Sequence, residues 1–461
     1  MGKTVAGELI NTVNLLYYRN RKEFGGKIMA VLTVNEFEFL RKLISIESTG
    51  DTPVPGKPYG EGPYAALEFF LDAARDSGMR TGILDGRVGW CEFGPESSPK
   101  LFCIVCHLDV VPAGDGWQTD PFDLTFDGKR FKGRGIVDDK GPAAAAFFAM
   151  RRLMNSDYDP PCRIRLILGT DEERTCSCVE YYAEHGELPT FAITPDAEFP
   201  VIYAEKGIMN IKVSGPASIV SAEAGSAANM VPASAWMTTG NGKIKAEGKT
   251  AHASKPELGV NAIFELCKKI SSKGFDFKKS PLLNFINNEI IPCTQYEYTG
   301  CLIRDESGTV TANPSILKCS RDLESLIIDV RCPITYKMED ITSHLASIAE
   351  PYGLNCSTIS SMQPVSKDKN APEVRILTDI WNENMSKYYG FEESYREKYS
   401  QPLAIGGGTY ARHIPNTIAF GLQAPWQEDV CHQANESRRL SDFEADIDVL
   451  TEAVKRLSSA I

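Results

Sequence analysis

The chain of 461 residues is 43% hydrophobic and 24% charged, an ordinary globular composition with material for two or three domains, each with its own core. A net charge of −12 at pH 7 argues against a general nucleic-acid binder, which carries a basic face, and no apolar run reaches the length of a membrane span. The 13 cysteines are odd in number and scattered; in a chain this long they read as reduced thiols and predict a cytoplasmic protein.

The opening stretch MGKTVAGELINTVNLLYYRNRKEFGGKI lacks the apolar core and small-residue cleavage site of a secretory signal. Strong periodicity starts only at Met29, so residues 1–28 are expected to be a leader, a natural extension being the equal alternative. From Val34 to Ile46 apolar residues recur at helical spacing (Phe37, Phe39, Leu40, Leu43, Ile44), and a second helix, AALEFFLDAARDSG, stops at Gly78. The strand-like runs LFCIVCHLD, RIRLILGTD and FAITPD then alternate with the helical patterns PAAAAFFAMRRLM and VEYYAEHGEL. That alternation predicts an α/β fold with a doubly wound, mostly parallel sheet.

After Ala204 the texture changes. IMNIKVSG, AWMTTGNGKIKAEGKTAHAS and LESLIIDVRCP read as antiparallel strands beside two helices, NAIFELCKKIS and MEDITSHLASIAEPYG. From Pro372 the α/β texture returns, through the strand TIAFG to a last helix, DFEADIDVLTEAVKRLSS. The expected organisation is one catalytic domain, 29–204 plus 372–461, interrupted by an inserted α+β lid domain with an antiparallel sheet, 205–371.

In open α/β sheets ligands bind beyond the carboxyl ends of the strands, and the polar residues of this chain gather there. His107-Leu108-Asp109 closes the first parallel strand, and the period of two puts His107 and Asp109 on one side, with Asp109 placed to hold the imidazole. Asp138 and Asp139 sit in the Gly-flanked loop GRGIVDDKGP, Glu172 and Glu173 follow a strand in GTDEE, Asp196 follows another in TPDAEFP, and His432 lies in the loop DVCHQANES. Each alone is weak, since a strand-end Asp is usually a helix cap and adjacent Glu residues are usually solvated. Together they form a dense negative cluster that is costly without cations, and a mixed His/carboxylate set suits zinc.

HLDVVPAGDGW, GRGIVDDKGP, GTDEE, TPDAEFP, IGGGTYAR and HQANES, in this order, closely resemble the aminoacylase/carboxypeptidase-type family of co-catalytic zinc peptidases, and within it the V-type dipeptidases of bacteria. The resemblance runs from Met29 to the C-terminus. It implies two Zn²⁺ ions, with Mn²⁺ or Co²⁺ as substitutes: His107 and Asp196 on one, Glu173 and His432 on the other, and Asp138 bridging both. It also implies Glu172 as general base toward a metal-activated water, Asp109 behind His107, and His252 of GKTAHASKPELG as oxyanion stabiliser. Asn229 and Arg331 would bind substrate, the latter by gripping a free carboxylate, and Gly407 and Gly408 of the glycine run 406–408 would let backbone approach it.

Other motifs lead nowhere. Cys103-x-x-Cys106-His107 fits a haem-attachment pattern, but it lies in an apolar strand. GKT at 248–250 has Lys243 where a P-loop needs glycine, and no G-x-S-x-G elbow occurs. Cys176, Cys178 and Cys431 lie near the expected site and could alter its ligands, although burial as small apolar residues fits them better. The expected protein is a cytoplasmic, monomeric di-zinc dipeptidase acting on short unblocked peptides, with no nucleic-acid or membrane partner. The alternatives are an N-acyl amino acid deacylase or carboxypeptidase of the same family, and a catalytically silent metal- or peptide-binding protein.

Overall fold

The computed structural model describes residues 32–216, 220–239 and 242–461, so the expected leader at 1–28 lies outside the described residues. The chain forms two compact units. One comprises the residues up to Tyr203 together with Asp368–Pro402 and Thr409–Ile461; the other comprises Ala204–Lys367 and Leu403–Gly408.

In the first unit, α1 (Val34–Ile44) starts with a capping box in which Thr33 and Glu36 satisfy each other's free backbone N–H groups, and it buries Phe37, Leu40, Leu43 and Ile44. There follow α2 (Glu61–Asp76), β1 (Arg80–Leu84), β2 (Val88–Phe93), β3 (Leu101–His107), α3 (Lys140–Met154), β4 (Arg163–Gly169), α4 (Ser177–His185), β5 (Phe191–Thr194), α5 (Pro372–Asn384), β6 (Thr417–Ala419) and α6 (Leu440–Ala460). The strand order is β1-β2-β4-β3-β5-β6. β4, β3, β5 and β6 run parallel, and β1 and β2 add an antiparallel edge.

The period of two in LFCIVCH explains why β3 is central. Phe102, Ile104 and Cys106 pack into a core with α1, α2, α3, α5 and α6, whereas Leu101, Cys103 and Val105 pack on the other face against α4, Tyr410 and Ile414. All seven residues are buried, as a strand covered on both faces requires. Each large aliphatic or aromatic side chain so buried contributes about 1.5–3 kcal/mol. Cys103 and Cys106 therefore face opposite cores, which removes the haem alternative.

The alanines of α3 let it lie close over the sheet, and Ala143–Ala149 are wholly buried. No helix among the described residues is long and apolar enough to cross a membrane. His107 pairs with Gly169 and Thr194 with Ala419, so the parallel strands end in step.

The second unit is an antiparallel sheet in the order Gly242–Glu247, Ser234–Thr239, Ser221–Ala224, Thr311–Cys319, Glu324–Cys332, Gly207–Gly215, Asn355–Met362. The amphipathic helices Ala262–Ser272 and Met338–Ala349 share a core with it through Ile263, Leu266, Ile341 and Leu345. The fold is thus α/β with an inserted α+β domain, as the strand and helix texture predicts.

Candidate metal centre and active site

The carboxyl ends of β3, β4 and β5 carry the chemistry of the first unit. His107, the last residue of β3, is fully buried. Its Nε2 lies 3.0 Å from Asp138 Oδ1 and 3.5 Å from Asp196 Oδ2. The exposed His432 places Nε2 2.9 Å from Asp138 Oδ2 and 3.1 Å from Glu173 Oε2. Asp138 thus turns one oxygen to each histidine, with Asp196 beside the first and Glu173 beside the second. His107, Asp138 and Glu173 offer ligand atoms within 4.8 Å of one another.

The electrostatics ask for a cation. Burial pushes the Asp196 and Glu173 carboxyls up from the usual carboxylate range, and Glu173 Oε1 is buried without a hydrogen-bond partner. Burial acts on Asp138 in the same sense, but the two imidazoles outweigh it and hold the carboxyl low. His432 is pushed up to about 11 by Asp138 and Glu173. Burial opposes the charging of His107, yet Asp109, Asp138 and Asp196 raise it as well. Carboxylates stripped of water thus face imidazoles that take up protons for want of a stronger cation. A divalent ion displaces such protons, and a His/carboxylate donor set fits zinc, manganese or cobalt.

The second ring nitrogen of His107 faces Asp109. Nδ1 meets the main-chain carbonyl oxygen of Asp109 at 3.0 Å, with the Asp109 carboxylate at 3.5 Å. That carboxylate also accepts the backbone N–H groups of Glu172 and Glu173, each at 3.1 Å, and so orients both residues of the pair. Burial pushes the Glu172 carboxyl well above its usual range; the Asp196, Asp138 and Glu173 carboxylates add to the shift against the pull of His107.

Two acidic residues have roles that the sequence reading did not assign. Asp139, joined to Asp138 by a cis peptide, accepts the His107 backbone N–H at 2.9 Å. Glu436, four residues after His432, is wholly buried beneath the Asp138 loop. An acidic residue within the motif HQANES was the available signal. Of the cysteines, Cys176 Sγ lies 3.5 Å from the Glu172 carbonyl oxygen, Cys178 bonds the Tyr410 hydroxyl and Cys431 lies near Gln423. Burial pushes all three thiols up.

Asn229, His252, Arg331, Gly407 and Gly408 belong to the second unit, where most of them lie close together. Met230 bridges His252, and the Asn229 carbonyl accepts the Ala253 N–H. His252 is exposed, with Nδ1 2.7 Å from Ser254 Oγ. Arg331 turns its fork on Asp329, Nε to Oδ1 at 2.6 Å and Nη2 to Oδ2 at 2.8 Å, and donates from Nη1 to the Gly406 carbonyl at 2.8 Å. A Cβ at Gly406 would stand 3.0 Å from that of Ser254, a tight approach.

Residues 103–456 match the model of a family described as peptidase family M20/M25/M40. A Bacillus subtilis (strain 168) protein named "Putative dipeptidase YtjP" is 31% identical over 461 aligned residues, covering 91% of this chain and 96% of that one. Among solved structures, an aminoacylhistidine dipeptidase from Vibrio alginolyticus has a TM-score of 0.61 at 13% identity, covering 94% of this chain and 98% of its own. An M20 family metallo-carboxypeptidase from Sulfolobus solfataricus has a TM-score of 0.59 at 15% identity, with 93% and 100% covered. Identities this low establish a shared fold.

Proposed function

The chain belongs to peptidase family M20/M25/M40, and from that premise we propose that it is a di-zinc dipeptidase hydrolysing short unblocked peptides, with Glu172 as general base. One observation carries the reading: the Asp138 carboxylate faces His107 with one oxygen and His432 with the other. His107, Asp196 and Asp138 would hold one metal, and Glu173, His432 and Asp138 the other. When bound, the metals would supply Lewis acidity at the scissile carbonyl and lower the pKa of the attacking water.

Glu172 takes the proton of that water and passes it to the leaving amine, a task matched by its raised pKa. Asp109 keeps Glu172 and Glu173 in register through their backbone N–H groups. His252 serves the oxyanion, and Asn229, Arg331, Gly407 and Gly408 serve the substrate, Arg331 through N–H groups that Asp329 and Gly406 leave over. The names of the relatives favour dipeptides over acylated amino acids. The proposed enzyme works in the cytoplasm as a monomer.

The test pairs metal analysis with a panel of dipeptides, on the wild type and on Glu172→Ala. We expect the wild type to cleave unblocked dipeptides and to lose turnover when the amino terminus is acylated. Glu172→Ala should fall by at least about 10²-fold in turnover while keeping about two metals per chain. A variant that retains wild-type turnover removes Glu172 as the base. Cleavage of N-acyl amino acids alone moves the enzyme to the deacylases.

A further inference from the structure

Four N–H donors converge on the carboxylate of Glu436. Oε1 accepts from the backbone N–H of Val137 at 2.7 Å and of Asp138 at 3.3 Å. Oε2 accepts from Arg134 Nη1 at 2.7 Å and from the Gly135 N–H at 3.0 Å. The main-chain carbonyl of Glu436 takes a further N–H, that of Gly133, at 3.1 Å. Arg134 is itself buried; its Nη2 donates to the Ala113 carbonyl at 3.2 Å, and the Trp117 ring lies 5.3 Å from its guanidinium carbon. A single carboxylate thereby ties together three stretches of chain: the one that follows His107 and Asp109, the one that ends in Asp138, and the one that begins at His432.

The chemistry singles out a carboxylate. Each oxygen takes two donors, whereas the amide of glutamine would turn its own N–H groups toward one of the two pairs. Aspartate, shorter by a methylene, would draw back from both. We propose that Glu436 is a positioning residue for the metal centre: through Arg134 and the main chain of residues 135–138 it holds the Asp138 carboxylate between His107 and His432, and so sets metal affinity. This inference rests on reading the cluster as a divalent-metal site.

Another buried ion pair lies two residues on and supplies the comparison. Arg438 grips Asp446 of α6 at 2.7 Å, and Asp446 takes no part in the metal cluster. A pair that only stabilises the unit should behave as this one does.

The experiment is calorimetric titration of Zn²⁺ into the metal-free full chain of the wild type, Glu436→Gln and Asp446→Asn, with the metal-free melting temperature of each. Glu436→Gln should lose about 10–100-fold in zinc affinity, the usual effect of removing a group that orients metal ligands. Asp446→Asn should melt lower and bind zinc as the wild type does. Wild-type zinc affinity in Glu436→Gln, or equal losses in the two variants, would overturn the proposal. Should Glu436→Gln fail to fold, Arg134→Lys takes its place, because an ammonium keeps the charge but cannot span Glu436 and the Ala113 carbonyl as the fork does. A several-fold loss of affinity is expected there, and an unchanged affinity overturns the role. A wild type that binds no Zn²⁺, Mn²⁺ or Co²⁺ removes the metal reading itself, and this proposal with it.

Discussion

Glu172 and Glu173 are neighbours whose environments set them apart. Both donate their backbone N–H to Asp109, yet only Glu173 reaches a histidine, His432, while Glu172 meets its surroundings through burial and like charge. Away from the site, burial acts likewise on another carboxyl. Glu444 of α6 accepts the Leu32 N–H at 3.2 Å, and burial pushes its carboxyl up to about 7. A carboxyl whose folded pKa lies above its unfolded value destabilises the fold once it must ionise. The penalty begins as pH rises past the unfolded value near 4.3 and is complete above about 7. Glu444→Gln keeps an oxygen for Leu32 and removes the penalty. The variant should be more stable than the wild type by up to about 3–4 kcal/mol at pH 8 and nearly equal to it at pH 4, as read from urea melts at both pH values. Equal stability at pH 8 would mean that Glu444 is ionised at no cost.

At the scale of elements, the site depends on how α3 begins. Gly141, in its first turn, donates to the Gly135 carbonyl at 2.9 Å, and a Cβ added there would stand 2.0 Å from the Ile136 carbonyl oxygen. The collision is with backbone, so the Asp138 loop itself would have to shift. Gly141→Ala should therefore destabilise the chain by about 1–3 kcal/mol and weaken zinc binding as well, despite the better helix propensity of alanine. A urea melt and a zinc titration check the two effects, and a variant as stable as the wild type would deny the close approach. Part of the elements was legible in the sequence: the runs that form β3, α3 and α6 stand where they were read, whereas β1, β2 and the second unit's strands Thr311–Cys319 and Asn355–Met362 were not singled out.

For the molecule as a whole, the second unit has a core of its own, separate from the two on either face of the first unit's sheet, and all five proposed metal ligands lie in the first unit. Metal should therefore stabilise one cooperative unit. Calorimetry is expected to resolve two transitions, one of which falls on chelation and rises on adding Zn²⁺. At a free concentration of about 100 times Kd the gain is about 2.7 kcal/mol, or roughly 5–10 °C for a unit of this size. Equal shifts in both transitions would contradict a ligand set confined to the first unit.

By itself the sequence determined what is local. Residues adjacent along a strand end, such as His107 and Asp109 or Glu172 and Glu173, announce a site because period and chain direction put them at one sheet edge. Only the tertiary structure decided the pairings made across hundreds of residues: His432 against Asp138, Glu436 beneath residues 135–138, and Leu403–Gly408 joined to the second unit beside Arg331. It also decided which atom serves. The Asp109 carboxylate, expected on His107, stands 3.5 Å from its Nδ1 while accepting two backbone N–H groups, and the Asp109 carbonyl oxygen comes nearer still at 3.0 Å. Hydrogen-bond competition of this kind depends on distance and angle, which no pattern of residue types along a chain records.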